Sequence, residues 1–157
     1  MNPELVLRQA TGEDARAIAE VMLSARMAAV ATGSMPPVVH PASDMLRHVG
    51  EDVLPHREVW VAEAGGDVVA VMALDEQWLD DLYVRPEHAG EGIGSALLDL
   101  AKALRPAGFE LWVFEINAPA RRFYERHGLV LRERTDGAGN EERAPDLRYG
   151  WPSGDPA

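Results

Sequence analysis

The stretch from Leu79 to Leu98 constrains this chain more than any other. It runs Leu79-Asp80-Asp81-Leu82-Tyr83-Val84, then Arg85-Pro86-Glu87-His88-Ala89-Gly90-Glu91-Gly92, then Ile93-Gly94-Ser95-Ala96-Leu97-Leu98. The first block reads as a strand, Pro86 as a turn, and Ile93 onwards as an apolar helix. Gly90, Gly92 and Gly94 leave the turn free of Cβ atoms, so the loop can aim successive main-chain N–H groups at one point. The positive end of the helix dipole lies at the same place, and together these features describe a phosphate site.

The spacing selects among phosphate loops. A Walker A loop needs Lys and then Ser or Thr after its last glycine, and Ile93, Gly94 and Ser95 stand there instead. The dinucleotide fingerprint needs G-x-G-x-x-G, whereas these glycines are spaced G-x-G-x-G. The run Ala89-Gly90-Glu91-Gly92-Ile93-Gly94 resembles the acyl-CoA loop of the GNAT superfamily of N-acetyltransferases, Arg/Gln-x-x-Gly-x-Gly/Ala. Ala89 departs from its first position, which removes a side chain but no main-chain amide.

Composition bounds the rest. The chain has 157 residues, 46% of them apolar and 26% charged, which fits one globular domain over 1–157. Its formal charge is −11 and Lys102 is its only lysine, so no basic stripe is present to follow a nucleic-acid backbone. An acidic surface favours cationic small molecules or peptides. Cysteine is absent, which excludes disulfides, thiolate metal sites and a Cys nucleophile. The histidines at 40, 48, 56, 88 and 127 have no metal-ligand spacing, so no metal is expected. Neither a basic leader nor an apolar run of membrane-spanning length stands out, and the expectation is a cytoplasmic protein with no membrane partner.

Taken in order, Leu5 to Ala10 alternates as a first strand. Thr11 and Asp14 form a capping-box start for a helix over about Glu13 to Ala29, with Ile18, Val21, Met22 and Ala25 as its apolar stripe. Ser43 is placed to cap a second helix from Asp44 to Val53. Glu58–Ala64 and Asp67–Leu74 flank Gly65-Gly66, a hairpin signal. The strand Trp78–Val84 follows, then a helix from Ile93 to Leu104 and a strand from Glu110 to Ile116. Asn117 is placed to cap a helix carrying Pro119 in its first turn and ending at Gly128. Leu129–Arg134 and Leu147–Trp151 close the chain as an antiparallel pair, and 152–157 reads as a frayed tail. This β-α-α-β-β-β-α-β-α-β-β order is also the GNAT order. The resemblance implies an α/β (α+β) fold with a mixed sheet of about seven strands, a splayed parallel pair and about four helices.

A second motif lies after the fifth strand. Asn117, Ala120, Phe123, Tyr124 and Gly128 match the family pattern Asn-x-x-Ala-x-x-Phe-Tyr-x-x-x-Gly-Phe, with Leu129 in place of its last aromatic. The resemblance implies acetyl-CoA as co-substrate. Its diphosphate would sit on Ala89, Gly90, Glu91, Gly92, Ile93, Gly94 and Ser95, and its pantetheine arm on main-chain groups of Leu82, Tyr83 and Val84. Asn117, Ala120, Phe123 and Tyr124 would line the thiol end. For Asn117 a plain helix cap explains the residue equally well. One of Arg121, Arg122 and Arg126 is a candidate contact for the 3′-phosphate, and otherwise they form a solvated helix face.

The reaction implied is direct transfer of acetyl to a primary amine. Alkylamines titrate near 10.4, so the enzyme must remove a proton before attack. Tyr124 is the candidate proton or hydrogen-bond donor to the departing thiolate, and the Val84 N–H the candidate oxyanion contact. For the base, Asp80 is first choice by resemblance and Asp81 second; adjacent carboxylates in an apolar strand are costly unless partnered or near water. Strict alternation puts Trp78, Asp80 and Leu82 on one side of the strand, and Leu79, Asp81 and Tyr83 on the other. Glu115 is a reserve, and Asn140-Glu141-Glu142 with Asp146 reads either as a solvated hairpin or as a lining for a cationic acceptor. The acceptor is a small or amino-acid-like amine; the alternatives are a protein N-terminus or lysine, and a non-catalytic acyl-CoA-binding module. Pairing into a homodimer is implied by the resemblance alone.

Overall fold

The computed structural model describes residues 4–37 and 40–152. Strand β1 (Leu5–Gln9) passes through a 3-10 turn at Gly12–Asp14 into helix α1 (Ala15–Ala31). The short helix α2 (Asp44–His48) follows, then a π-helical turn at Val49–Val53. Strands β2 (Glu58–Ala64), β3 (Asp67–Asp75) and β4 (Trp78–Val84) form a meander. A 3-10 turn at Pro86–His88 leads to α3 (Ile93–Leu104), β5 (Phe109–Phe114), α4 (Ala118–Arg126), β6 (Val130–Thr135) and β7 (Asp146–Trp151). The sheet order is β1-β2-β3-β4-β5-β7-β6, and β4–β5 is its parallel pair.

Local chemistry explains the element starts. Asp14 accepts from the Thr11 N–H at 2.7 Å and so reaches back over the first turn as a capping acid does. It also takes both arms of the Arg8 guanidinium at 2.8 Å, tying that turn to β1. Asn117 caps α4, accepting from the Ala120 N–H at 3.2 Å. Ser43 makes no side-chain cap, and the second predicted helix is two pieces rather than one, α2 and then the π-helical turn. Residues 153–157 of the predicted tail lie outside the described residues.

Two apolar layers cover the sheet. Ile18, Val21 and Met22 of α1, with Met45, Val49 and Val53, pack on Val59, Val61, Val71 and Ala73. On the opposite face Ile93, Leu97, Leu98 and Ala101 of α3 pack with Tyr124 on Met72, Leu74, Leu79 and Leu111. Leu97 and Leu98 are fully enclosed, and truncating either to alanine is expected to remove about 2–5 kcal/mol. With α1 and α3 clamped to opposite faces, the loop entering α3 is fixed against the edge of β4.

Candidate functional site

The site begins with a break in a strand. Ala73 pairs with Asp81 and Leu74 with Leu79, so Asp80 is an extra residue with no opposite number, a β-bulge. The bulge reverses the side-chain alternation. Leu79, Leu82 and Val84 join the α3 layer, whereas Tyr83 packs with the α1 layer and Asp81 stands opposite Ala73 of that layer. Strict alternation, which put Leu79 with Asp81 and Tyr83, is therefore corrected: it holds from Asp81 onward and fails across Asp80.

Beyond the bulge the sheet opens. Strands β4 and β5 share one bridge, Trp78 to Glu110, and diverge after it. The Arg85 N–H bonds Val69 of β3 at 2.9 Å. Alternate residues of an antiparallel strand face the same neighbour, so Leu82 and Val84 turn their N–H and C=O groups away from β3 and into the opening. An extended amide chain laid in that gap meets main-chain donors and acceptors.

The glycine loop closes one end. Gly92 caps α3 with φ +82° and Gly90 has φ +81°, conformations that cost a side-chain-bearing residue about 1–2 kcal/mol. Gly94 faces the Phe123 ring, which packs across the start of α3: a Cβ there would meet the ring at 3.4 Å, an ordinary van der Waals contact. Ala96 donates to the Gly92 carbonyl, but the N–H groups from Gly90 to Ser95 have no main-chain acceptor among the described residues. The Ser95 hydroxyl lies 3.0 Å from His127 Nε2, and Lys102 donates to the His127 carbonyl at 2.6 Å. His127 thus fastens the end of α4 to the start of α3, a link the sequence did not signal.

Two cavities meet at this point. The first, about 710 Å³, follows the gap from Leu82 and Val84 past Gly90, Gly92 and Ser95 to Asn117 and Tyr124. Tyr83, Ala89, Ile93, Gly94, Ala120 and Phe123 also line it, so every predicted cofactor residue except Glu91 does. Glu91 instead lies 3.2 Å from the His88 ring. The second cavity, about 640 Å³, opens between α1, α2 and β4, with Asp81, Tyr83, Glu141 and Glu142 on its wall. Asp80, Tyr83 and Trp112 border both cavities, and the Trp112 ring stacks on Trp78 at 6.4 Å.

The titratable groups at the junction share one environment. Burial pushes the Tyr124 phenol well above its ordinary range, with further upward contributions from Tyr83 and Asp81. Its hydroxyl has no hydrogen-bond partner among the described residues and is not sealed from the cavity. Burial likewise raises Asp80 and, more deeply placed, Asp81, while Arg57 draws both back down. The Arg57 guanidinium stands 3.0 Å from Asp80 and 3.7 Å from Asp81. Nothing in the periodicity of the sequence pointed to Arg57.

The remaining candidates separate cleanly. Glu115 pairs with Arg134 at 2.8 Å and borders neither cavity. Arg126 borders the first cavity, whereas Arg121 is committed to the Glu115 carbonyl at 3.2 Å and to the Tyr149 hydroxyl at 3.4 Å. Glu141 and Glu142 border the second cavity, whereas Asp146 is bonded to Thr135. Among the described residues no group of three or more His, Asp or Glu is placed to hold a metal, and no helix is long and apolar enough to cross a membrane.

Comparison with known proteins places this arrangement. Residues 55–129 match the family model described as an acetyltransferase (GNAT) domain. An uncharacterised N-acetyltransferase of Archaeoglobus fulgidus is 38% identical over 100 residues, covering 53% of this chain and 66% of that protein. The peptidyl-lysine N-acetyltransferase YjaB of Salmonella typhimurium is 34% identical over 92 residues, covering 58% and 63%. The chain thus spans less than two thirds of the length of these curated relatives. Among solved structures, apo YjaB from Escherichia coli superposes with a TM-score of 0.76 at 21% identity, covering 94% of this chain and 97% of that one. PaiA N-acetyltransferase from Thermoplasma acidophilum, solved with coenzyme A, gives 0.74 at 18%, covering 94% and 98%. The glycine loop, the parted strands, the Asn117–Gly128 motif and these matches agree, and residues 55–129 form an acetyltransferase domain of the GNAT family.

Proposed function

We propose that the protein transfers an acetyl group from acetyl-CoA to the primary amine of a small or amino-acid-like acceptor. The observation that carries this reading is the junction of the two cavities at Asp80 and Tyr83, where a thioester and an amine can meet. The diphosphate lies on the amides of Gly90–Ser95, the pantetheine arm along Leu82 and Val84, and the thioester toward Tyr124. Asp80, directly or through water, takes one proton from the acceptor ammonium, with Asp81 as the second candidate. The amine lone pair then forms the N–C bond, and the carbonyl oxygen gains charge against the Val84 N–H. The C–S bond breaks with its electron pair going to sulfur.

Tyr124 stabilises that sulfur by hydrogen bond rather than by full proton transfer. A thiol titrates near 8.5, far below a phenol raised above its usual value of about 10, so complete transfer from Tyr124 would run uphill. As the C–S bond breaks, the nitrogen, cationic since forming the N–C bond, gives its second proton to water to leave the neutral amide, and the thiolate is protonated finally from solvent.

A second reading, acetylation of protein lysines, is favoured by the relatives YjaB and YiaC, both named peptidyl-lysine N-acetyltransferases. Free-thiol release from acetyl-CoA across a panel of amines, amino acids and lysine peptides tests both. Release with small amines supports the first reading, and release with peptides alone supports the second. Tight CoA binding with no release on any amine would favour a binding module instead.

A further inference from the structure

One basic side chain on the wall of the acceptor cavity is partnered unlike the rest. Arg47 pairs with Asp44 at 3.3 Å, His40 with Glu141 at 3.1 Å and His48 with Asp52 at 3.1 Å. Arg57, just behind the wall, has Asp80 and Asp81. Arg26, projecting from α1, has no carboxylate within ion-pair distance among the described residues. Its Nε donates to the Tyr83 hydroxyl at 3.2 Å, and its Cζ lies 5.6 Å from the Tyr83 ring centroid. That stack and single hydrogen bond use one edge of the guanidinium. The two terminal nitrogens have no acceptor among the described residues, yet they belong to a side chain bordering the cavity.

We propose that Arg26 receives a carboxylate of the acceptor, so that the acceptor is a compact amino acid rather than a plain amine; this rests on the acetyl-transfer reading above. A guanidinium presents parallel N–H donors in a rigid fork matched to a carboxylate, and stacking on Tyr83 holds that fork still. Burial works against the Arg26 charge, but Tyr83, Asp81 and Glu142 outweigh it, so the group stays cationic. Glu51, Asp52, Glu141 and Glu142 on the same wall repel an anion that carries no ammonium group. The cavity therefore selects for both charges on one molecule. Tyr83, which Arg26 covers, lies between Leu82 and Val84, the residues assigned to the pantetheine arm, and borders both cavities. Arg26, the base candidate Asp80 and Tyr83 thus line one cavity of about 640 Å³, which suits a compact α- or β-amino acid better than an extended polyamine.

The test compares matched acceptors on the full chain: free amino acids, their methyl esters, the decarboxylated amines, a polyamine and a lysine peptide. The kcat/KM for thiol release should favour the free acid over its ester by about tenfold or more, the size of one charge-assisted hydrogen bond. In Arg26→Gln that ratio should collapse toward one, and Arg26→Lys should restore part of it. A ratio near one in the unaltered protein, or an equal slowing of acid and ester in Arg26→Gln, overturns the proposal. So does a preference for the polyamine or the peptide. Calorimetry of the same acids with the CoA-loaded protein separates this from failure of the transferase reading. Binding that is lost in Arg26→Gln supports the anchor even without turnover, and no binding of any free acid refutes it. Unchanged CoA affinity and melting temperature confirm that the variants are folded.

Discussion

Replacing Tyr124 by phenylalanine removes one oxygen atom from the centre of the proposed chemistry. The Tyr124 hydroxyl has no hydrogen-bond partner among the described residues, so its loss orphans no buried donor or acceptor. The ring keeps its place: it packs edge-on to Phe123 at 5.3 Å and belongs to the α3-side core. Folding stability should therefore change by less than about 1 kcal/mol. The catalytic cost is different in kind. A hydrogen bond to a developing thiolate contributes about 1.5–3 kcal/mol, which converts to roughly a 10–150-fold fall in kcat. CoA affinity should hold, because the phosphates and the amide arm carry it. The raised phenol adds a sign to the prediction. A donor whose titration lies above its ordinary value of about 10 stays protonated through neutral pH, so Tyr124 should add no basic limb to the kcat profile below about pH 10. The assay is thiol release at saturating acceptor, with calorimetric CoA binding and a thermal midpoint run alongside. A kcat within twofold of the unaltered protein would refute the role, as would a loss explained wholly by weaker CoA binding.

Three further outcomes follow from named contacts. Gly92→Ala forces a side chain onto φ +82° and should weaken CoA binding about tenfold or more while lowering the melting temperature, both read by thermal shift with and without CoA. Arg57→Gln removes the cation beside Asp80 and Asp81, so both carboxyls should titrate higher; the acid limb of kcat/KM should move to higher pH, and carboxyl-detected NMR should show the same shift, with Arg57→Lys reversing part of it. Asp14 is held down to about 2 by Arg8, from an ordinary value of 3.8. A depressed acid stabilises above its unfolded value and loses that contribution as pH falls toward the folded one, so about 2 kcal/mol should vanish between about pH 4 and pH 2 in urea titrations, and Asp14→Ala should flatten that change.

Much of this architecture was legible because local rules produced it. Glycines at 90, 92 and 94, an Asn–Pro helix start at 117–119, and the Gly65-Gly66 turn each act over a few residues, and each lands where the sequence placed it. What escaped depends on distant partners. The bulge at Asp80 is set by its register with β3, which no reading of β4 alone contains. Arg57 follows the π-helical turn with no periodic signal, and its importance arises only because that turn delivers it to two carboxylates of β4. Arg26 sits on α1, and its partner Tyr83 lies 57 residues on. His127 reads as the end of a helix until α3 brings Ser95 within 3.0 Å. The carboxylates at 80 and 81 were visible, but that Asp80 borders both cavities and Asp81 only the second was not, because strict alternation assigns the wrong neighbours across a bulge.

The central claim is that main-chain amides at the start of α3 grip the diphosphate of acetyl-CoA. Amide-resolved NMR during a CoA titration tests it most directly, with 3′-dephospho-CoA and pantetheine as partial ligands. The account predicts large downfield shifts at Gly90 to Ser95 with both CoA forms and little change there with pantetheine, which should instead perturb Leu82 and Val84. Saturation by CoA with those loop amides unmoved would contradict it.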